Sequence, residues 1–113
     1  MIARVWSAHA HREKLQIYWK HFSGQVLPTL KKCDGCVSAI VLTRQIDAED
    51  EILVTTFRKS MDAIDVFAGS HREDAVVVTE AAALLCSFDR RVRHYTVDVA
   101  VSRESVSIFA GRD

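Results

Sequence analysis

The sequence has no net charge and no long apolar segment. Its 15 lysine and arginine residues equal its 15 aspartate and glutamate residues, so no overall positive field attracts nucleic acid or an anionic membrane surface. The longest unbroken apolar run covers residues 81–86, whereas a membrane-spanning helix requires about 20 apolar residues. We therefore predict a protein that binds neither nucleic acid nor a membrane.

Proline, glycine and cysteine are also scarce. One proline and four glycines among 113 residues exclude collagen-like and low-complexity chains. Hydrophobic residues at 49% and charged residues at 27% are typical of a folded chain, and the length suits one domain. Three cysteines, an odd number, suit a reducing compartment, and the first residues lack the apolar segment of a signal peptide. The sequence thus predicts a single cytoplasmic domain.

The first half of the chain alternates between strand and helix patterns. Residues 1–8 predict a strand, and residues 11–34 carry apolar side chains at steps of three and four, which predicts an amphipathic helix. Pro28 lies inside this helix, so we expect a kink near residues 24–27 or a helix broken in two. Two runs rich in β-branched residues, 37–46 and 51–58, flank a polar turn and predict a hairpin.

The second half predicts a similar succession of elements. Ser60 is the predicted N-cap of a short helix that ends at Gly69, residues 80–88 continue with a helical pattern, and residues 91–101 alternate as a strand. The order β-α-β-β-α-β predicts a ferredoxin-like α+β fold, a four-stranded antiparallel sheet with its helices on one face. We assign residues 1–100 to this domain and residues 101–113 to a tail, either an added strand or disordered.

The predicted hairpin is apolar on both faces of the sheet. Ile40 and Leu42 alternate with Val41, and two helices cover one face of a four-stranded sheet. We therefore expect a second copy of the chain to cover the other face, sheet against sheet, with Trp6 on the side that meets it. The sequence predicts a homodimer.

Five short segments carry a resemblance to a known family. They are Ile2-Ala3-Arg4-Val5-Trp6, Val26-Leu27-Pro28, Asp34-Gly35, Phe67-Ala68-Gly69 and Arg91-Val92-Arg93-His94-Tyr95. Their order and spacing resemble the antibiotic biosynthesis monooxygenase family, whose members are small dimeric α+β barrels. The resemblance extends over residues 1–100 and implies the same fold.

The resemblance implies oxygenation of a small aromatic or quinol substrate with no cofactor and no metal. In this chemistry a base deprotonates an electron-rich phenol, and the substrate itself reduces oxygen in an apolar pocket. The implied pocket residues are Ser7, Phe22 and Phe67, with His71 as the base, since an imidazole exchanges protons near neutral pH. The alternative is a non-catalytic small-molecule-binding or stress-associated dimer. A titratable group inside the cleft would favour the enzyme.

Haem degradation is the less favoured activity within the same superfamily. The haem-degrading branch carries an asparagine late in the first strand, a tryptophan in the second helix and a histidine shortly after it. This sequence has Ser7 and Phe67 at the first two positions and no histidine in residues 75–77. Haem iron needs an axial ligand from the protein, and His71 is the nearby histidine that could supply one.

Two other groups could in principle bind a metal. Cys33 and Cys36 form a C-x-x-C at the end of a helix, but no second pair completes a four-ligand zinc site, so we expect them to pack as small hydrophobes. His9 and His11 follow the first strand without a carboxylate to complete a ligand set. We expect both histidines to be solvated.

Overall fold

An antiparallel sheet is the framework of the chain. The computed structural model describes residues 1–69 and 71–101, apart from the side chains of Phe67 and Ala68. Over these residues the sheet has five strands in the order β2-β3-β1-β4, and β5 also pairs with β1. All pairings are antiparallel, which confirms the predicted ferredoxin-like fold class. The strands are β1 (Ile2–His11), β2 (Cys36–Ile46), β3 (Glu49–Arg58), β4 (Ser87–Phe88) and β5 (Arg93–Thr96).

The first helix is interrupted where the proline pattern predicts. A 3-10 turn at Arg12–Lys14 leads into α1 (Leu15–His21), a π-helical turn covers Phe22–Val26, and α2 (Leu27–Lys32) follows. Pro28 cannot donate a hydrogen bond to the preceding turn, so the regular ladder cannot run through this point. The predicted kink is confirmed as a wider turn that holds one extra residue.

The predicted second helix is present with both of its caps. It is α3 (Met61–Ala68), and the Ser60 side chain accepts a hydrogen bond from the backbone N–H of Ala63 at 3.2 Å. Gly69 ends the helix with a φ of 72°, a conformation that glycine adopts without steric cost.

The helix predicted over residues 80–88 is wrong for most of its length. Only the short α4 (Thr79–Ala82) forms, because the residues after it join the edge of the sheet. The backbone N–H groups of Cys86 and Asp89 donate to the carbonyls of His9 and Ser7 on β1. Pairing with an available strand satisfies these donors as well as a helix would.

The core lies between the α1–α2 helix and one face of the sheet. Trp6 packs against this core, so the expectation that Trp6 faces a partner chain is wrong. Alternation along a strand separates two sets of side chains but does not show which set the helices cover. The buried cluster is formed by Ala10, Tyr18, Phe22, Leu30, Ile52, Val54 and Ala81.

The opposite face of the sheet is partly open and carries both apolar and polar side chains. The register aligns Leu42 with Leu53 and Ala3 with Tyr95 on this face, and Leu42 and Tyr95 are each 52% exposed. None of the described helices is both long and apolar enough to cross a membrane. Of the predicted tail, residues 102–113 lie outside the described residues.

Candidate functional site

A cavity of about 250 Å³ lies between the α1–α2 helix and the sheet. Tyr18 and Phe22 form its helical wall, and Trp6 and Val54 form its sheet wall. The segment 76–78, which is three consecutive valines, borders the cavity as the chain enters α4. Ligand pockets are typically apolar clefts of about 300–1,000 Å³, so this cavity suits a small ligand.

His21 is the histidine that lines this cavity in the described part of the chain. Its Nε2 atom is buried and has no hydrogen-bond partner among the described residues. The ring lies against Tyr18, with 6.3 Å between ring centroids. Buried polar atoms are nearly always paired, and an unpaired one costs about 1–3 kcal/mol. A polar group that reached this nitrogen would remove this cost.

Buried arginine and threonine side chains form a polar end of the cavity. Arg58 and Thr56 are both buried, and the Arg58 Nε donates to the Thr56 hydroxyl at 3.2 Å. Arg4 donates to the backbone carbonyls of Arg72 at 2.6 Å and Asp74 at 2.9 Å. Burial, and next the charge of Arg58, lowers the pKa of Arg4 to about 10. Arg4 therefore remains charged at neutral pH.

Tyr18 contributes a hydroxyl that does not ionise at neutral pH. The residue is 3% exposed, and burial raises the pKa of its phenol to about 12, because burial disfavours the charged form. Tyr18 therefore lines the cavity as an aromatic surface with a neutral hydroxyl, which both donates and accepts hydrogen bonds.

The structure brings only part of the predicted site together. Phe22 lines the cavity, whereas Ser7 and His71 do not. Ser7 is half-buried, and it lies on the opposite face of β1 from Trp6. His71 is exposed, and its backbone carbonyl accepts a hydrogen bond from the Asp74 N–H at 3.0 Å. The Phe67 side chain lies outside the described residues, so its role stays a prediction.

His21 is the functional candidate that the sequence pattern did not single out. It lies three residues after Tyr18 and four before Gln25, and all three line the cavity. Residues at this spacing share one face of a helix. The spacing therefore places His21 beside the apolar residues of the helix. The pattern alone does not show that this side of the helix faces a cavity.

The two cysteines of the C-x-x-C occupy packed positions. Cys36 packs against the core cluster, as expected for a small hydrophobe. The Arg58 Nη1 donates to the Cys33 Sγ at 3.8 Å. Both thiols are free and half-buried.

Comparison with solved structures identifies the class of fold. No protein-family model matches the sequence, and no curated protein is similar to it at a significant level. A Bacillus cereus protein assigned as an antibiotic biosynthesis monooxygenase is 16% identical, with a TM-score of 0.63 over 89% of this chain and 96% of that chain. A Deinococcus radiodurans protein with the same assignment is 13% identical, with a TM-score of 0.60 over 90% and 97% of the two chains.

A haem-degrading enzyme shares the same architecture. MhuD from Mycobacterium tuberculosis, with two haems bound in its active site, is 13% identical and has a TM-score of 0.63 over 90% of this chain and 100% of that chain. The chain therefore has the fold of the antibiotic biosynthesis monooxygenase-like proteins. The predicted family resemblance is confirmed at the level of the fold, and proteins of one fold differ in chemistry.

Proposed function

We propose that the chain is a cofactor-independent monooxygenase for a small aromatic or quinol substrate, with His21 as the base. The observation that carries this proposal is that His21 lines a largely apolar cavity, while its buried Nε2 has no hydrogen-bond partner among the described residues. A general base must lie within hydrogen-bond reach of the proton that it removes. A turn of the His21 ring toward a flat substrate stacked between the aromatic walls would bring this nitrogen to a phenolic or enolic hydroxyl.

The reaction then uses the electrons of the substrate. Transfer of the hydroxyl proton to His21 leaves an electron-rich anion, which reduces molecular oxygen directly. For an anthrone-like substrate, one oxygen atom becomes the new carbonyl oxygen. The other oxygen leaves as water with the two hydrogens of the oxidised methylene carbon. Trp6 and Phe22 supply apolar surface that orients the ring.

The volume of this cavity favours a ligand smaller than haem. MhuD binds haem in its active site, but the cavity of this chain is about 250 Å³, below the range of roughly 300–1,000 Å³ for drug-sized ligands. The valines of the bordering segment 76–78 cannot ligate iron, whereas His21, which also lines the cavity, has a side chain that can, so it is the size of the cavity that disfavours haem. This size favours a ligand of one to three fused rings over a tetrapyrrole.

The alternative function is a non-catalytic binding protein with the same cavity. Most of the residues around the cavity are apolar, which suffices for binding and does not require chemistry. For either function we propose a homodimer in the cytoplasm. The partly exposed apolar side chains on the open face of the sheet support the dimer, and the odd number of cysteines supports the compartment.

Oxygen uptake by two histidine variants tests the proposal. His21→Gln keeps a polar side chain but removes the base, so we expect kcat with a panel of quinols and anthrones to fall by about 10²–10⁴-fold. The variant His71→Ala removes the exposed histidine that the sequence favoured, and we expect its kcat to stay close to wild type. Ligand affinity, measured by quenching of tryptophan fluorescence, should change less than kcat in His21→Gln, because the stacking surface is intact.

The two variants also separate the competing hypotheses. A large loss of kcat in His71→Ala, with His21→Gln active, would assign the base to His71 and contradict the role of His21. Saturable ligand binding by the wild type without oxygen uptake above the spontaneous rate would favour the binding protein.

A further inference from the structure

Three potential metal ligands converge at the end of the sheet that lies away from the cavity. His11 is the last residue of β1, Glu49 is the first residue of β3, and the register pairs them directly. Cys86 approaches from the other side of β1, where its backbone N–H donates to the His9 carbonyl at 2.7 Å. The ligand atoms of His11, Glu49 and Cys86 all lie within 4.8 Å of one another.

The mixture of donor atoms indicates the type of cation. An imidazole nitrogen, a carboxylate oxygen and a thiolate sulfur form a set that suits Zn²⁺, whereas Mg²⁺ and Ca²⁺ prefer oxygen ligands alone. Tetrahedral zinc bonds of about 2.0–2.3 Å bring ligand atoms to roughly 3.3–3.8 Å from one another. The side chains therefore need to move by about 1 Å, and the exposed positions of His11 and Cys86 allow this movement.

A fourth residue supports the central carboxylate. The His9 Nδ1 lies 3.5 Å from the Glu49 Oε1, and alternation along β1 places His9 on the same face of the sheet as His11. Outer residues that hold a metal-binding carboxylate in position typically contribute about 10–100-fold in metal affinity. His9 is in the position to do this.

This cluster is separate from the cavity proposed for the substrate. Trp6 lines the cavity, and His11 lies five residues further along the same strand, which corresponds to roughly 17 Å. A cation at His11 would therefore not contact a ligand in the cavity. The expectation that no carboxylate lies beside His9 and His11 is wrong, because Glu49 and the thiol of Cys86 reach them from distant segments of the sequence.

We propose that His11, Glu49 and Cys86 bind Zn²⁺, with a water molecule as the fourth ligand and His9 holding the carboxylate. The metal joins the end of β1 to the start of β3 and to the segment that enters β4. Because a cation that binds only the folded chain stabilises it, zinc raises the melting temperature of the protein.

Titration of the metal-free protein with Co²⁺ and Zn²⁺ tests the site. Co²⁺ reports sulfur ligation directly, because a thiolate–cobalt bond gives a strong near-ultraviolet absorption that nitrogen and oxygen ligands do not give. We expect one Co²⁺ per chain, displacement by Zn²⁺, and this absorption in the wild type. Cys86→Ala should remove the absorption, and His11→Ala and Glu49→Gln should remove saturable binding. His9→Ala should weaken binding by about 10–100-fold.

Two control variants test whether the other thiols, or a carboxylate outside the cluster, bind the metal. In Cys33→Ala/Cys36→Ala, Cys86 is the one remaining thiol of the three, and the absorption should persist. Glu80→Gln changes an exposed carboxylate on α4 and should leave the affinity unchanged. If the double variant does not fold, the comparison of wild type with Cys86→Ala decides alone. Absorption that survives in Cys86→Ala, or a wild type that binds neither metal at micromolar concentration, would overturn the proposal.

Discussion

His94 and Arg4 form a buried pair. Because arginine can only donate hydrogen bonds, it determines which protonation state of His94 is favoured. The Arg4 Nη1 lies 2.9 Å from the His94 Nε2, and a guanidinium has only donors, so this nitrogen must accept. The His94 Nδ1 faces the Glu73 carboxylate at 3.7 Å. Burial, then the charge of Arg4, lowers the pKa of His94 despite the opposing effect of Glu73. The folded chain therefore favours a neutral His94.

This pair predicts that acid destabilises the protein. The unfolded chain protonates His94 near pH 6.5, but the folded chain does so only at lower pH. Since the unfolded state binds more protons in between, the free energy of unfolding falls as pH drops from about 6.5 through the lower folded pKa. We expect the midpoint of urea denaturation to decrease between about pH 7 and pH 5, and to decrease less in His94→Gln.

A variant of Glu73 serves as a control for this pH effect, because the direction of its effect is predicted. Glu73 raises the pKa of His94, so Glu73→Gln should lower it further and make the loss of stability at low pH larger. A urea midpoint in His94→Gln with the same pH dependence as the wild type would show that His94 does not carry the effect.

The turn between α2 and β2 packs closely against α3. Gly35 has a φ of 86°, and a Cβ placed there would lie 2.6 Å from the Cβ of Ala63 on α3. Both the backbone conformation and the close approach therefore require glycine. At Gly24, in the π-helical turn, an added Cβ would meet no atom within 4 Å, and the φ is not positive, so the two glycines form a matched pair.

Alanine at these two positions should have opposite effects on stability. We expect Gly35→Ala to lower the free energy of unfolding by about 2–4 kcal/mol, since strain at positive φ adds to overpacking against α3. Gly24→Ala should raise it by up to about 1 kcal/mol through the lower entropy of the unfolded chain. Urea denaturation of both variants measures this difference, and equal stabilities would contradict the close contact with Ala63.

Local patterns explain which elements the sequence predicts and which it does not. The hairpin, the interrupted first helix and α3 with Ser60 as its cap depend on neighbouring residues, and all three form as predicted. The segment after α4 joins β1 instead of extending the helix, because an open strand edge was available to its N–H groups. The orientation of Trp6 and the position of His21 depend on which face of the sheet the helices cover. Local sequence patterns do not determine this, because it depends on the tertiary packing.

The sheet has one face that α1 and α2 leave uncovered, and apolar side chains on it are partly exposed. Leu42 is 52% exposed at the edge strand β2, and Tyr95 on β5 is exposed to the same extent. Contiguous exposed apolar surface is the kind that a partner chain covers. A second copy with the same face would bury it around a two-fold axis.

We expect the wild type to sediment as a dimer at micromolar concentration. Leu42→Asp places a charge in the proposed interface and should shift the protein toward the monomer, because an unpaired charge is costly to bury. Val66→Asp introduces the same charge on α3, where the side chain is 76% exposed, and should leave the dimer intact. A wild type that sediments as a monomer, or equal dissociation of the two variants, would contradict the sheet-to-sheet interface.

The π-helical turn at Phe22–Val26 fixes the direction in which the side chains of α2 point. Each helical residue turns the chain by about 100°, so the extra residue decides which side chains of α2 point toward the sheet. Removal of Gly24 would take the extra residue out of this turn and would rotate the buried Leu30 away from the core. In an alignment with a relative whose helix is uninterrupted, the gap therefore belongs inside this turn, because any other placement would pair core positions with surface positions.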